Sequence, residues 1–262
     1  MSDQSELART RAELLSDILF PRDRTSGLDG TPITTSEEGI DDAVERAQIL
    51  VDAQGDDPWP HYLLGLALGT RYLGHGTDAD GERANGHMRE AIRLGGREDP
   101  DAAMFRQQLA GALSAMWANA FARDPGGTDP AGLGEPLRLA REAVELTPED
   151  GPQYPVRLIQ VAELLGQGAD GPDRLAEAVE LAERALAAAH PDDPRLSQYQ
   201  HSHALLLVHL ATKEGKAETG VAAEVSAIRA GHLVHPYDPA QMRIIGTMQR
   251  ARMLSAPGGP SS

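Results

Sequence analysis

At 262 residues, with hydrophobic residues at 40% and aromatics at only 4%, the chain has the composition of a folded protein, and Ala and Leu filling its apolar quota favour helix over strand. Its formal net charge of −16, from 40 acidic against 24 basic residues, repels phosphate backbones and anionic lipid. Nucleic acid and membrane surfaces are therefore not expected partners, whereas a basic protein would be attracted. The absence of cysteine excludes disulfides, thiolate zinc sites and any cysteine nucleophile.

In chain order, the first segment, SELARTRAELLSDILF (residues 5–20), reads as an opening helix. Its early charges, Glu6, Arg9, Arg11 and Glu13, do not suit a signal peptide. The apolar run Ala204 to Val208 is far too short to cross a bilayer, so the expected location is the cytoplasm. After a long loop, Thr35 and Glu38 have the spacing of a capping box. From there helices alternate in two classes. Class B is expected at roughly 36–54, 79–95, 131–147, 172–189 and 217–233, and class A at roughly 59–74, 101–122, 153–167, 195–213 and 239–254. The tail 256–262 is expected to be disordered.

Asp-Pro pairs punctuate this alternation. They fall at Asp57-Pro58, Asp99-Pro100, Asp193-Pro194 and Asp238-Pro239, with the variant Asp150-Gly151-Pro152 between. Successive prolines are 42, 52, 42 and 45 residues apart. An Ala-centred amphipathic segment precedes each pair: AVERAQILVDAQGDDP, MREAIRLGGREDP, LAREAVELTPEDGP, LAERALAAAHPDDP. Asp is a good N-cap, and Pro is tolerated at the first helical position, where its missing N–H would have no partner anyway. The pair therefore starts each A helix. The one long period is explained by a longer A helix and the insert DPGGTDP.

The B segments resemble the second helix of tetratricopeptide-type repeats. Ala84, Met88, Ala91 and Ile92 fall at that family's small–bulky–small–aliphatic spacing, and Ala178, Ala182, Ala185 and Leu186 repeat it. VELTP at 144–148 resembles the closing proline, and Leu64-Gly65 the Leu-Gly pair of the first helix. The period of 42–45 exceeds the family's 34, most signature aromatics are missing, and the longer unit is similar to arrays that precede CHAT (caspase-like) protease domains in high-GC bacteria. The resemblance implies an all-α, right-handed α-solenoid of about five helix-turn-helix repeats, about 11 helices, forming one repeat domain over residues 1–255. It also implies that A helices line a concave face, with Ala47, Ala91, Ala143 and Ala185 allowing close helix approach. On that face the candidate binding residues are Tyr62, Arg71, Gln107, Asn119, Arg157, Gln160, Gln198, His201 and His209.

One segment suggests chemistry. AHPDDP, residues 189–194, resembles the AHPDDE motif of zinc-dependent de-N-acetylases, in which the His and one Asp hold zinc and the other Asp acts as base. That reading needs a strand before Ala189 and a distant third histidine, His201, His203 or His209. Set beside Gly55-Asp56-Asp57-Pro58 and Arg97-Glu98-Asp99-Pro100, the segment reads instead as a helix boundary. Asp193 is then the N-cap, Pro194 the first helical residue and His190 the end of the preceding helix. Residues two or six apart on a helix point to different faces, so His201, His203 and His209 are not expected to converge on one metal. Thr77-Asp78-Ala79-Asp80-Gly81 lacks the flanking acids of a calcium loop, and Gly166-Gln167-Gly168 follows a helix rather than a strand. The sequence thus predicts no catalytic set, no metal and no cofactor. It predicts a non-enzymatic scaffold or adaptor that binds a protein or peptide in its groove, in one version together with a separately encoded CHAT-type protease. The alternative is a zinc-dependent hydrolase using His190, Asp192 and Asp193.

Overall fold

A computed structural model of the chain describes residues 37–168, 171–235 and 237–256. The opening helix at 5–20, the Thr35–Glu38 box and the tail from residue 257 lie outside them. The described residues form ten α-helices and no strand. They are α1 (Glu37–Ala53), α2 (Pro58–Gly74), α3 (Asp78–Gly95), α4 (Ala102–Arg123), α5 (Gly134–Glu145), α6 (Tyr154–Gln167), α7 (Pro172–Ala188), α8 (Leu196–Glu214), α9 (Ala217–His232) and α10 (Pro239–Ser255). A short 3₁₀ helix, Pro130–Leu133, leads into α5. The expected alternation of A and B helices is met with boundaries shifted by at most three residues. The chain divides into two compact units, residues 1–115 and 116–262.

In the first unit α2 packs against both α1 and α3. Ala43, Val44 and Ala47 of α1 meet Leu63, Leu64, Ala67 and Leu68 of α2, joined by Ala84 of α3. A second cluster gathers Tyr62, Ala91 and Phe105 under Trp59. Its rings meet edge-on or tilted at centroid distances of 5.1–5.9 Å, the separations aromatic pairs prefer. In the second unit consecutive helices from α5 to α10 pack in adjacent pairs, and α8 also touches α6 and α10. Its core is built mainly from Ala and Leu, with Tyr199 the largest fully buried side chain. The four alanines singled out for close helix approach, Ala47, Ala91, Ala143 and Ala185, are all fully buried.

The Asp-Pro turns share one geometry. The side chains of Asp57, Asp99, Asp193 and Asp238 each accept a hydrogen bond from the amide two residues on, at 2.7–2.9 Å. Helices α2 and α10 start at the proline, as expected. After Asp99 and Asp193 the chain makes one more turn, and the helix starts three residues past the Asp, at Ala102 and Leu196. Asp193 is therefore not the formal N-cap, and Pro194 is not helical. The backbone bonds Ala102 N to Asp99 O and Leu196 N to Asp193 O, both 3.0 Å, close that extra turn. Asp129 makes the same side-chain bond to Ala131 N, 2.8 Å, ahead of a B helix. The pair thus also leads into a B helix and is not a mark of A helices alone. The insert holding it folds back on α4, where Trp117 Nε1 donates to Asp129 O at 2.9 Å. Together with the 22 residues of α4, this accounts for the long period.

Candidate functional site

The nine predicted groove residues separate by burial. Tyr62 is 3% exposed and Arg157 8%, and both are core groups rather than groove groups. Burial, then the Asp101 charge, pushes the Tyr62 hydroxyl up to about 12. The guanidinium of Arg157 reaches back to the end of α5 and donates to Thr147 Oγ1. Arg106 does the same one period earlier, donating to Gly96 O at 3.0 Å and to Ala102 O at 2.9 Å. In each case a buried Arg seals the C-terminal end of a B helix, where backbone carbonyls lack helical partners. Polarity alone had marked Arg157 as a groove residue, and the carbonyl end it covers explains its inward position.

Arg71 is half-buried and held by acid on both sides, 3.1 Å from Asp41 and 2.5 Å from Asp80. Gln107 and Gln160 are half-buried, while Asn119, Gln198 and His209 are exposed. Three of the set, Gln198, His201 and His209, lie on α8, which packs against α10.

Three lines of contact leave α8. Ser202 donates to Glu163 Oε1 of α6 at 2.6 Å. Gln200 and His203 bond Ser226 of α9 at 2.9 and 3.0 Å. His201 Nε2 lies 3.0 Å from Thr247 Oγ1 of α10. Thr247 stands one helical turn after Arg243 and three residues before Arg250, so the three form one stripe with His201 anchored at its middle. Burial first, then Arg243 and Arg250, hold the His201 imidazole below its usual range. His209, exposed at its edge, is held down by the desolvation of its packed side and then by Arg250. Among the described residues the exposed Arg243 and Arg250 side chains form no ion pair. Among the described residues no carboxylate acts on either histidine, in a protein whose net charge is −16. The helices sort by charge: α6, α8 and α10 hold five basic and two acidic residues, against five basic and nine acidic on α5, α7 and α9.

AHPDDP does not assemble a site. The element before Ala189 is helix α7 rather than a strand. His190 and Asp192 are exposed, with side chains 76% and 93% accessible, and His190 lies just beyond the helix it was expected to end. Asp193 points inward, paired with Arg195 at 3.0 Å and accepting from Tyr199 Oη at 3.3 Å. Arg195 in turn donates to Pro152 O at 3.1 Å, tying this turn to the one before it. Trp59 Nε1 makes the equivalent tie in the first unit, donating to Asp101 Oδ2 at 3.0 Å. The open cleft beside it, about 530 Å³, is lined by Asp56, Asp57, Asp99 and Asp101. Three of these acids already accept bonds from the turns themselves.

A feature not singled out in the sequence is a histidine pair. His61 of α2 and His87 of α3 face each other with their Nδ1 atoms 3.1 Å apart. Nothing in their 26-residue separation signals it. Among the described residues no group of three or more His, Asp or Glu side chains could hold a metal ion, and no helix is long and apolar enough to cross a membrane. No family model matches the chain, and no curated protein is significantly similar to it.

Proposed function

We propose that this protein is a non-catalytic, cytoplasmic helical-repeat scaffold of right-handed, tetratricopeptide-like organisation, and that it binds an acidic segment of a partner protein across α8 and α10. One observation carries the reading: Arg243 and Arg250 flank the Thr247 that His201 contacts, on an exposed stripe where no acid among the described residues pairs with them. In so acidic a chain, cations left unpaired on one face give local attraction to carboxylates, while the surrounding negative field rejects misplaced ones. Guanidinium groups two turns apart suit acidic side chains of an extended or helical peptide. The basic partner suggested by net charge alone suits the acidic B helices instead. In one version of this reading the acidic segment belongs to a separately encoded CHAT-type protease, which co-purification with the products of neighbouring genes would test.

The direct test uses fluorescein-labelled hexaglutamate and hexalysine peptides in anisotropy titrations with the full chain. Hexaglutamate is expected to bind and to weaken with salt, and Arg243→Ala with Arg250→Ala to reduce its affinity at least tenfold. A preference for hexalysine, or hexaglutamate binding untouched by the double substitution, would sink the proposal.

A further inference from the structure

Helix α9 is apolar on two opposite faces. One face, with Ala223, Ala227 and Ala230, is buried where the helix packs against α8 and α10. The other carries Val221, Val225 and Ile228, which are 49%, 43% and 38% exposed. Steps of four and then three residues set these in one line along the helix, about 180° from the buried alanines at 3.6 residues per turn. A surface helix ordinarily buries one apolar stripe and turns charge outward on the opposite face.

The preceding B helix shows the ordinary case. Ala178, Ala182 and Ala185 of α7 are fully buried, as are Ala223, Ala227 and Ala230 of α9. The two sets lie one 45-residue period apart, so the helices share one register. Where α9 has Val225 and Ile228, α7 has Glu180 and Glu183, both exposed. Packing within the array is thus satisfied with acids at these positions. Two branched aliphatics in their place make a surface that water disfavours and that a partner would cover.

The ends of the stripe say which partner. Glu218 stands exposed in the first turn of α9, and Arg229 and His232 stand exposed in the last. Ion pairs at this part of the chain join Lys216 to Glu214 and Arg252 to Glu224. Among the described residues neither Glu218 nor Arg229 has an ion-pair partner. Eleven residues, about three turns, separate the two, so both lie on the same side of the apolar line.

We propose that this face of α9 docks against the same face of a second copy of the chain, the two helices antiparallel about a two-fold axis beside Val225. Such a contact is isologous, and the same flank of each helix faces its counterpart. Glu218 of each copy then comes opposite the Arg229–His232 end of the other, and the aliphatic residues of the two copies cover one another. A parallel pair would set Glu218 against Glu218 and Arg229 against Arg229, which like-charge repulsion disfavours. The order acid, apolar, base is complementary to its own reverse, so charge selects both the occupant and its direction. One pair of 16-residue helices makes a small interface, and the dimer is expected to be reversible, with dissociation on the order of micromolar. The Arg243–Arg250 stripe contributes no residue to it, so this inference stands or falls separately from the peptide-binding reading.

The test is sedimentation equilibrium of the full chain over a wide concentration range, with circular dichroism melts to verify that each variant folds. The wild type is expected to pass from monomer to dimer and no further, because a two-fold contact closes on itself. Val225→Glu, which restores the acid found one period earlier, should weaken association by about tenfold or more. Glu218→Arg and Arg229→Glu should each weaken it severalfold, and the two together in one chain should restore it. The two single variants, mixed, should associate with each other more tightly than either does with itself. A chain that stays monomeric throughout, association untouched by Val225→Glu, or a double charge exchange no better than the single ones would overturn the proposal.

Discussion

Arg71 of α2 and Arg250 of α10 sit on helices of the same class, one in each unit, and their surroundings differ. Arg71 is enclosed by Asp41 and Asp80, and Asp80 in turn accepts from Thr77 N at 3.0 Å. The result is a chain of compensated charge running across α1, α2 and α3. Among the described residues no acid pairs with Arg250 or Arg243, and the polar bridge to α8 is the uncharged His201–Thr247 contact. The first arrangement holds three helices together. The second leaves its cations available to something outside the described residues. Similar residues on equivalent helices thus serve cohesion in one place and, in the function proposed, recognition in the other, according to whether the neighbouring helix supplies carboxylates.

Removing the two cations should separate these roles most sharply. Arg71→Ala strands Asp80, which is 8% exposed, and is expected to cost about 2–3 kcal/mol in denaturant titration, less than a fully enclosed pair because Asp41 stays wet. Arg250→Ala is expected to stay within about 0.5 kcal/mol of the wild type, as an unpaired surface residue should. Equal costs would erase the contrast.

A smaller effect separates the two packings. A Cβ on Gly65 would meet Met88 Cγ at 2.7 Å and the Ala84 carbonyl at 3.0 Å, so α2 and α3 approach too closely for alanine. Gly65→Ala should lower stability by about 1–2 kcal/mol. On Gly166 the close atom is Leu206 Cδ2, the free end of a side chain, which can rotate away. Gly166→Ala should cost under about 1 kcal/mol by the same overpacking argument, and thermal melts of the two variants would rank them.

The smallest expected effect, and one of opposite sign in the two units, is in pH dependence. The Thr77 amide and then Arg71 hold the Asp80 carboxyl below its ordinary value. Its contribution is therefore complete above the unfolded value near 3.9 and is lost as pH falls through the lower folded value. Burial raises Glu163 despite the bond from Ser202. In that case the unfolded chain releases its proton first. Stability is unaffected below the unfolded value near 4.3 and declines as pH rises from there toward the folded value. Asp80→Asn should flatten the acid limb of the stability profile. Glu163→Gln should gain stability relative to the wild type only above about pH 4.3. Parallel pH profiles for the two variants would contradict these assignments.

How far the sequence could be read depended on the range of the forces involved. Asp57 and Asp238 cap their helices where the Asp-Pro pairs said they would, because a cap is settled within three residues of chain. The same rule missed the added turn after Asp99 and Asp193. There Trp59 and Arg195 tie the turn to its neighbour one period away, a contact that local preference does not contain. AHPDDP was separable from a zinc motif by comparison with its sister turns, again a local matter. The candidate surface was legible only in part. Gln198 and His209 are exposed as expected, whereas Tyr62 and Arg157 turned inward toward an aromatic cluster and a helix end.

The sequence by itself determined that the described chain is helical, where each described helix lies to within a few residues, and that Ala47, Ala91, Ala143 and Ala185 are buried. Those follow from propensity, capping and 3.6-residue periodicity, which act over a turn or two. Tertiary structure alone decided which polar groups became core, which cations were left without acid, and that His61 meets His87. These outcomes depend on how far each helix rotates about its own axis against its neighbours. That rotation is the summed result of many weak packing contacts between residues far apart in the chain.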